Sequence, residues 1–64
     1  MRVNGKEITL SSNHKLLDFL EINQYDPQKI AIERNGEIVP KSAYHQVILD
    51  NEDRLEIVSF VGGG

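Results

Sequence analysis

The chain has 64 residues, no cysteine, and ten acidic against seven basic residues, for a formal charge of −3. The lack of cysteine excludes disulfide staples, thiolate zinc sites, a Cys nucleophile and an internal sulfur source. The acidic balance argues against nucleic acid, whose phosphates call for clustered Lys and Arg, and no apolar stretch approaches the ~20 residues that span a bilayer.

A domain of this size buries only about 60% of the surface its unfolded chain exposes. Its stability must come from one compact sheet-plus-helix core. Met1 to Gly5 lacks the apolar h-region of a signal peptide, so the expected location is cytoplasmic.

Met1 to Asn4 reads as a short strand. Asn4-Gly5 is a hairpin signal, because both central positions of a type I′ turn need positive φ. Glu7-Ile8-Thr9-Leu10 then alternates, with Ile8 and Leu10 facing the core and Glu7 and Thr9 facing water. Ser11-Ser12-Asn13 is a polar break rich in N-cap residues. The spacing predicts a helix over Lys15 to Glu21, with Leu16 and Leu20 at i and i+4, Leu17 beside them and Phe19 flanking the stripe. His14 falls at its start. Asn23, Gln24, Asp26 and Pro27 end it.

Ile30 to Arg34 reads as a third strand with Ile30 and Ile32 inward. Arg34 then stands where alternation calls for an apolar residue. Asn35-Gly36 repeats the hairpin signal, Ile38-Val39 is the return strand, and Pro40 closes it. Ser42 to His45 is a short helical turn, and Val47-Ile48-Leu49 an apolar connector. Asp50 to Asp53 is a tight acidic turn. The last strand begins near Arg54 and alternates through Leu55, Ile57 and Val61. This order of elements predicts an α+β protein of β-grasp plan. One helix crosses one face of a mixed sheet whose first and last strands adjoin in the middle. The domain is residues 1–59, followed by a flexible tail, 60–64.

Few residues carry chemistry. His14 and His45 have no ligand-like spacing with Asp or Glu. The acidic turn lacks the ligand pattern of a calcium loop and reads as solvated. No catalytic triad order and no phosphate-cradling glycine loop is present, so an independent enzyme is not expected. If Leu55 and Ile57 point under the helix, Val58 and Phe60 lie on the open face. Beside a glycine tail, Val58, Phe60 and Val61 form a candidate docking patch, against the alternative of scattered surface apolars.

Gly62-Gly63-Gly64 is the most informative segment. Each glycine costs about 1–2 kcal/mol to order, so alone in water the tail should be mobile. Without Cβ atoms it also fits a slot too narrow for other residues. The segment from Phe60 to Gly64 reaches roughly 15–18 Å when extended. A thin arm ending in a carboxylate suggests that this carboxylate is the working group. An ordinary frayed terminus is the competing reading.

Phe60-Val61-Gly62-Gly63-Gly64, after the Leu55 to Val58 strand and the Asp50 to Asp53 turn, resembles the end of the ThiS family of bacterial sulfur carriers. So do Ile32 to Pro40, Tyr44-His45 before Val47, and Val3 to Lys6. The resemblance covers the whole chain and implies a ubiquitin-like β-grasp fold and a carrier role in thiamin biosynthesis. It implies that a ThiF-type enzyme uses ATP to adenylate the Gly64 carboxylate. A cysteine desulfurase pathway then supplies sulfur, and thiazole synthase (ThiG) takes it from the C-terminal thiocarboxylate. Gly63 and Gly64 match the family's terminal pair; Gly62 is a further glycine for threading the tail. The carrier itself binds no cofactor or metal, and contacts neither nucleic acid nor membrane. Three alternatives stay open: a ubiquitin-like protein modifier, a sulfur carrier for molybdopterin, and a non-covalent interaction module whose tail is inert.

Overall fold

In the computed structural model, which describes residues 1–10 and 14–60, β1 (Arg2–Val3) and β2 (Lys6–Glu7) form the first hairpin. The Asn4-Gly5 turn takes φ of 51° and 82°, the left-handed pair that a two-residue I′ loop requires. Beyond it Ile8 is half-buried and Leu10 buried, while Glu7 and Thr9 are exposed. The alternation is as expected, although the strand itself stops at Glu7. Ser11-Ser12-Asn13, the expected polar break, lies outside the described residues.

His14 and Lys15 do not open a helix. They form β3 (His14–Lys15), which pairs antiparallel with β6 (Ile48–Leu49). The apolar connector of the sequence reading is therefore in part a strand. α1 (Leu16–Ile22) follows at once and has no side-chain cap. Instead the Leu16 N–H donates to the Val47 carbonyl at 2.9 Å, so a tertiary bond satisfies one of the orphan amides of the first turn.

Leu16, Phe19 and Leu20 are the buried residues of α1. Leu17, expected on that stripe, is exposed. A one-residue step turns the helix by about 100°, which carries Leu17 off the face that Leu16 buries and makes Phe19 part of it. At the far end the Asn23 side-chain amide donates to the Phe19 carbonyl and Gln24 turns left-handed at φ 64°. The Tyr25 N–H then returns to the Leu20 carbonyl, satisfying carbonyls that the helix leaves open.

A short 3-10 helix (Pro27–Lys29), capped by Asp26, leads into β4 (Ile30–Arg34). Asn35 and Gly36, at φ 53° and 88°, turn the chain into β5 (Glu37–Val39). A second 3-10 helix (Lys41–Gln46) buries Tyr44, and β7 (Arg54–Ser59) closes the fold. The main sheet has the order β2-β1-β7-β4-β5. β1 runs parallel to β7; the other pairs are antiparallel. First and last strands thus adjoin in the middle, and α1 packs its apolar face with Val3, Ile30, Ile32, Leu55 and Ile57 in a single core. This is the α+β, ubiquitin-like β-grasp plan.

Arg34 follows the inward register of Ile30 and Ile32, and Asp53 explains how. Asp53 is buried, not solvated. Its Oδ2 accepts from Arg34 Nε at 3.1 Å and lies 3.0 Å from Arg34 Nη2; its Oδ1 accepts from the Asn35 amide at 3.0 Å. The Asp50 N–H adds a further bond to Oδ2. Burial pushes the Asp53 carboxyl up. The hydrogen bonds from Asn35, Arg34 and Asp50, with the Arg34 charge, outweigh it and hold the carboxyl below the usual carboxylate range.

A carboxyl depressed in the folded state contributes stability above its unfolded pKa, about 3.9, and loses it as the pH falls through the folded value. Asp53→Asn is therefore expected to cost about 2 kcal/mol at neutral pH, the scale of a charge-assisted bond. Urea unfolding should show the gap to the parent chain narrowing below about pH 4. A gap that stays constant down to pH 2 would show that the Asp53 charge contributes nothing.

Candidate functional site

β7 carries the chain from the buried middle of the sheet towards its glycine end. Leu55 and Ile57 face α1 and are buried; Glu56, Val58 and Phe60 alternate with them and are exposed. Cross-strand register sets Val58 beside Ala31, Glu56 beside Glu33, and Glu33 beside Ile38. Val58 is 61% exposed, Phe60 51% and Ile38 67%, so the open face carries apolar side chains around a pair of like charges. Opposed like charges on neighbouring strands are destabilising. No cation forms a salt bridge with Glu33 or Glu56 among the described residues.

Phe60 is held at the strand end. Its N–H donates to the Lys29 carbonyl at 2.8 Å. Lys41 Nζ lies 5.6 Å from its ring centroid and also donates to the Pro27 and Ile30 carbonyls, both at 3.1 Å. A cation over an exposed ring contributes about 0.5–1 kcal/mol. Lys41 thus ties the last described aromatic to the start of β4.

The structure places two of the candidate residues, Val58 and Phe60, on the open face. Val61, Gly62, Gly63 and Gly64 lie outside the described residues. Sequence reasoning missed Ile38. Its signal was present: a two-residue Asn35-Gly36 loop puts Ile38 opposite Glu33, and alternation then sets it on the outer face. The Lys41 contact carries no sequence signal.

The ionisable groups paired across this face are Glu33 and Glu56. Among the described residues no three His, Asp or Glu side chains gather to hold an ion. His45 is exposed. His14 Nε2 is buried without a hydrogen-bond partner among the described residues. The perturbed carboxyl, Asp53, precedes β7, at the opposite end of the strand from Phe60. Among them no helix is long and apolar enough to cross a membrane.

Comparison with known proteins places this geometry. The model of the ThiS family matches residues 1–64. The sulfur carrier protein ThiS of Bacillus subtilis is 38% identical over 65 aligned residues, covering 100% of this chain and 98% of its own. A thiazole synthase of Paramagnetospirillum magneticum is 47% identical over 62 residues, but this chain spans only 19% of its length. Among solved structures, the crystal structure of thiamine biosynthesis protein ThiS from Geobacter metallireducens superposes with a TM-score of 0.81 at 26% identity, covering 98% and 96% of the two chains.

If the outer face is free of structural duty, Val58→Thr and Ile38→Thr, which keep the β-branch, should each change the unfolding free energy by less than about 0.5 kcal/mol. Ile57→Thr, one residue away but buried, should cost about 2 kcal/mol or more through lost packing and a buried hydroxyl. Denaturant titration of the three variants checks this. Equal losses at positions 57 and 58 would show that both faces are packed.

Proposed function

The chain belongs to the ThiS family, and we propose that it works as a sulfur carrier in thiamin biosynthesis, with the Gly64 carboxylate as the group that is activated and loaded. One observation carries this reading. A chain matched end to end by the family runs its central strand, with Val58 and Phe60 exposed beside each other's positions, into Gly62-Gly63-Gly64.

A free α-carboxyl has a pKa of roughly 3.3–3.7 and is a carboxylate at neutral pH. Carboxylates are poor electrophiles. Transfer of AMP from ATP to the Gly64 oxygen releases pyrophosphate and leaves a mixed anhydride. A persulfide of the sulfur donor then attacks the carbonyl carbon and expels AMP, and a reducing thiol cleaves the resulting acyl disulfide, leaving a disulfide and an end that carries sulfur in place of one oxygen. ATP and the catalytic groups belong to a ThiF-type activating enzyme, and a cysteine desulfurase pathway supplies the sulfur. Thiazole synthase is the proposed acceptor. The similarity to a much longer thiazole synthase supports that choice.

In this division of labour the carrier contributes an address and a tether. Val58, Phe60 and Val61 dock the body, while Gly62 and Gly63 thread a channel that excludes side chains.

Intact mass spectrometry tests the reading. After incubation with a ThiF-type enzyme, ATP and a sulfur source, the chain should gain the mass of one sulfur and lose that of one oxygen. An unchanged mass with a demonstrably active enzyme overturns it. A reductant-resistant amide conjugate on gels would instead select the protein-modifier alternative.

Gly63→Ala adds one methyl to the proposed threading segment. It should leave the thermal midpoint unchanged and cut thiolation at least ~10-fold, the scale of 1.4 kcal/mol in the transition state. Normal thiolation of this variant would refute the narrow channel.

A further inference from the structure

On the outer face of the sheet the fold leaves two like charges side by side. Glu56 of β7 stands directly opposite Glu33 of β4, and Glu33 opposite Ile38 of β5. Both glutamates are exposed. Residues paired in this way on neighbouring strands lie about 4.5–5.5 Å apart at Cβ, so their carboxylates share one spot. Arg34 is held by Asp53, Arg2 by Glu7, and Lys41 by the Pro27 and Ile30 carbonyls. Arg54 precedes Glu56 on the same face, yet among the described residues it makes no salt bridge with either glutamate.

Apolar side chains frame the pair. Ile38 adjoins Glu33 across the β4–β5 pairing, and Val58 is the next residue after Glu56 on the same face. Both are exposed. A protein surface that covers Val58 and Ile38 therefore covers Glu33 as well. Burying a carboxylate without a partner is costly, and opposed carboxylates repel more strongly in a water-poor contact than in water. Only an occupant that brings a positive charge to this spot gains from the apolar rim. A guanidinium holds its N–H donors in a planar fork and can bond both carboxylates at once. A second copy of this chain would set the same glutamates, and the same net charge of −3, against themselves.

We propose that Glu33 and Glu56 together receive one arginine of thiazole synthase, with Val58 and Ile38 packing against apolar side chains beside it. The proposal rests on the carrier reading, in which thiazole synthase takes the sulfur, and on the similarity to such an enzyme that supports that reading. In the free carrier the opposed glutamates are destabilising. An arginine between them relieves their repulsion, so the relief adds to the attraction when the two proteins meet. A surface with no cation at this position is rejected, because it would leave both carboxylates covered and unpaired. The pair thus selects the partner as well as holding it.

Conservative variants separate recognition from folding. Glu33→Gln and Glu56→Gln keep the side-chain shape and remove one charge each. Their melting temperatures should equal or exceed the parent's. The KM of their sulfur-loaded forms with thiazole synthase should rise about 10-fold at unchanged kcat, as for one lost charge-assisted contact. Glu21→Gln, on the helix that covers the other face of the sheet, changes the net charge equally and should leave that KM unchanged. Added salt should raise the parent's KM and raise that of the E33Q/E56Q double variant less. A parent-like KM in both variants overturns the arginine site and leaves sulfur transfer intact. A change in KM confined to the ThiF-type enzyme also overturns it and assigns the pair to that enzyme. A lowered melting temperature with an unchanged KM overturns it too, and shows that the glutamates serve the fold. Thiazole synthase may be titrated with the unloaded chain as well: binding that weakens about 10-fold in each variant, with no sulfur taken from the parent, removes the carrier reading and leaves the arginine site standing.

Discussion

The pairing of β7 is the constraint on which the rest of the structure depends. At Leu55 the strand is flanked by β1 and β4, and its side chain is fully buried under α1. Four residues later, at Ser59, only β4 accompanies it among the described residues. The same strand therefore anchors the core at one end and leaves Val58 and Ser59 exposed at the other. A strand that ran down the middle of the sheet throughout would be better tied, with less of its backbone open to another protein. A strand at the edge throughout would leave the core without its central element.

A chain of 64 residues without cysteine has little to spare for such a division. Its apolar core is small: Leu16, Leu20, Ile30, Ile32, Leu49 and Leu55 are the largest side chains that are fully buried. Around that core polar side chains join distant segments. Asn51 exchanges two bonds with the Leu10 backbone, Asn4 clasps Ile57, and Asp53 gathers Arg34, Asn35 and the Asp50 amide. A buried carboxylate is costly unless its oxygens are satisfied. At Asp53 they are, and the turn before β7 is fixed relative to the β4–β5 hairpin. The Asp53 tie lies at the start of β7, the Asn4 tie at Ile57, and the Lys41 contact at the Phe60 end.

Much of this was legible in the residues, and the failures have physical reasons. Both Asn-Gly pairs announced their turns because few residues tolerate positive φ. Alternation placed Leu55, Ile57, Val58 and Phe60 on their faces before any coordinates. Arg34 was visible only as a violation of that pattern. Its partner Asp53 lies 19 residues on, and no local periodicity links them, so the acidic turn read as solvated. β3 and β6 are two residues each, too short for alternation to register, and a helix absorbed one while a connector absorbed the other. Leu17 was misplaced because it lies about 100° round the helix from Leu16, on the side away from Phe19, and so falls outside the arc that Leu16, Phe19 and Leu20 bury. Of the candidate site, the exposure of Val58 and Phe60 could be read from alternation, whereas the Lys41 contact over the Phe60 ring is revealed only by the assembled fold.

Asn4 and Asn35 each precede a glycine in a left-handed turn, and each spends its amide nitrogen on a tertiary bond. Asparagine followed by glycine is the dipeptide most open to deamidation, because the unshielded glycine nitrogen closes a succinimide that water reopens as aspartate or isoaspartate. At Asn4 the product would set a carboxylate oxygen against the Ile57 carbonyl; at Asn35 it would set one against Asp53. The two turns that align the strands are also the places where chemical ageing of the molecule would unfasten them.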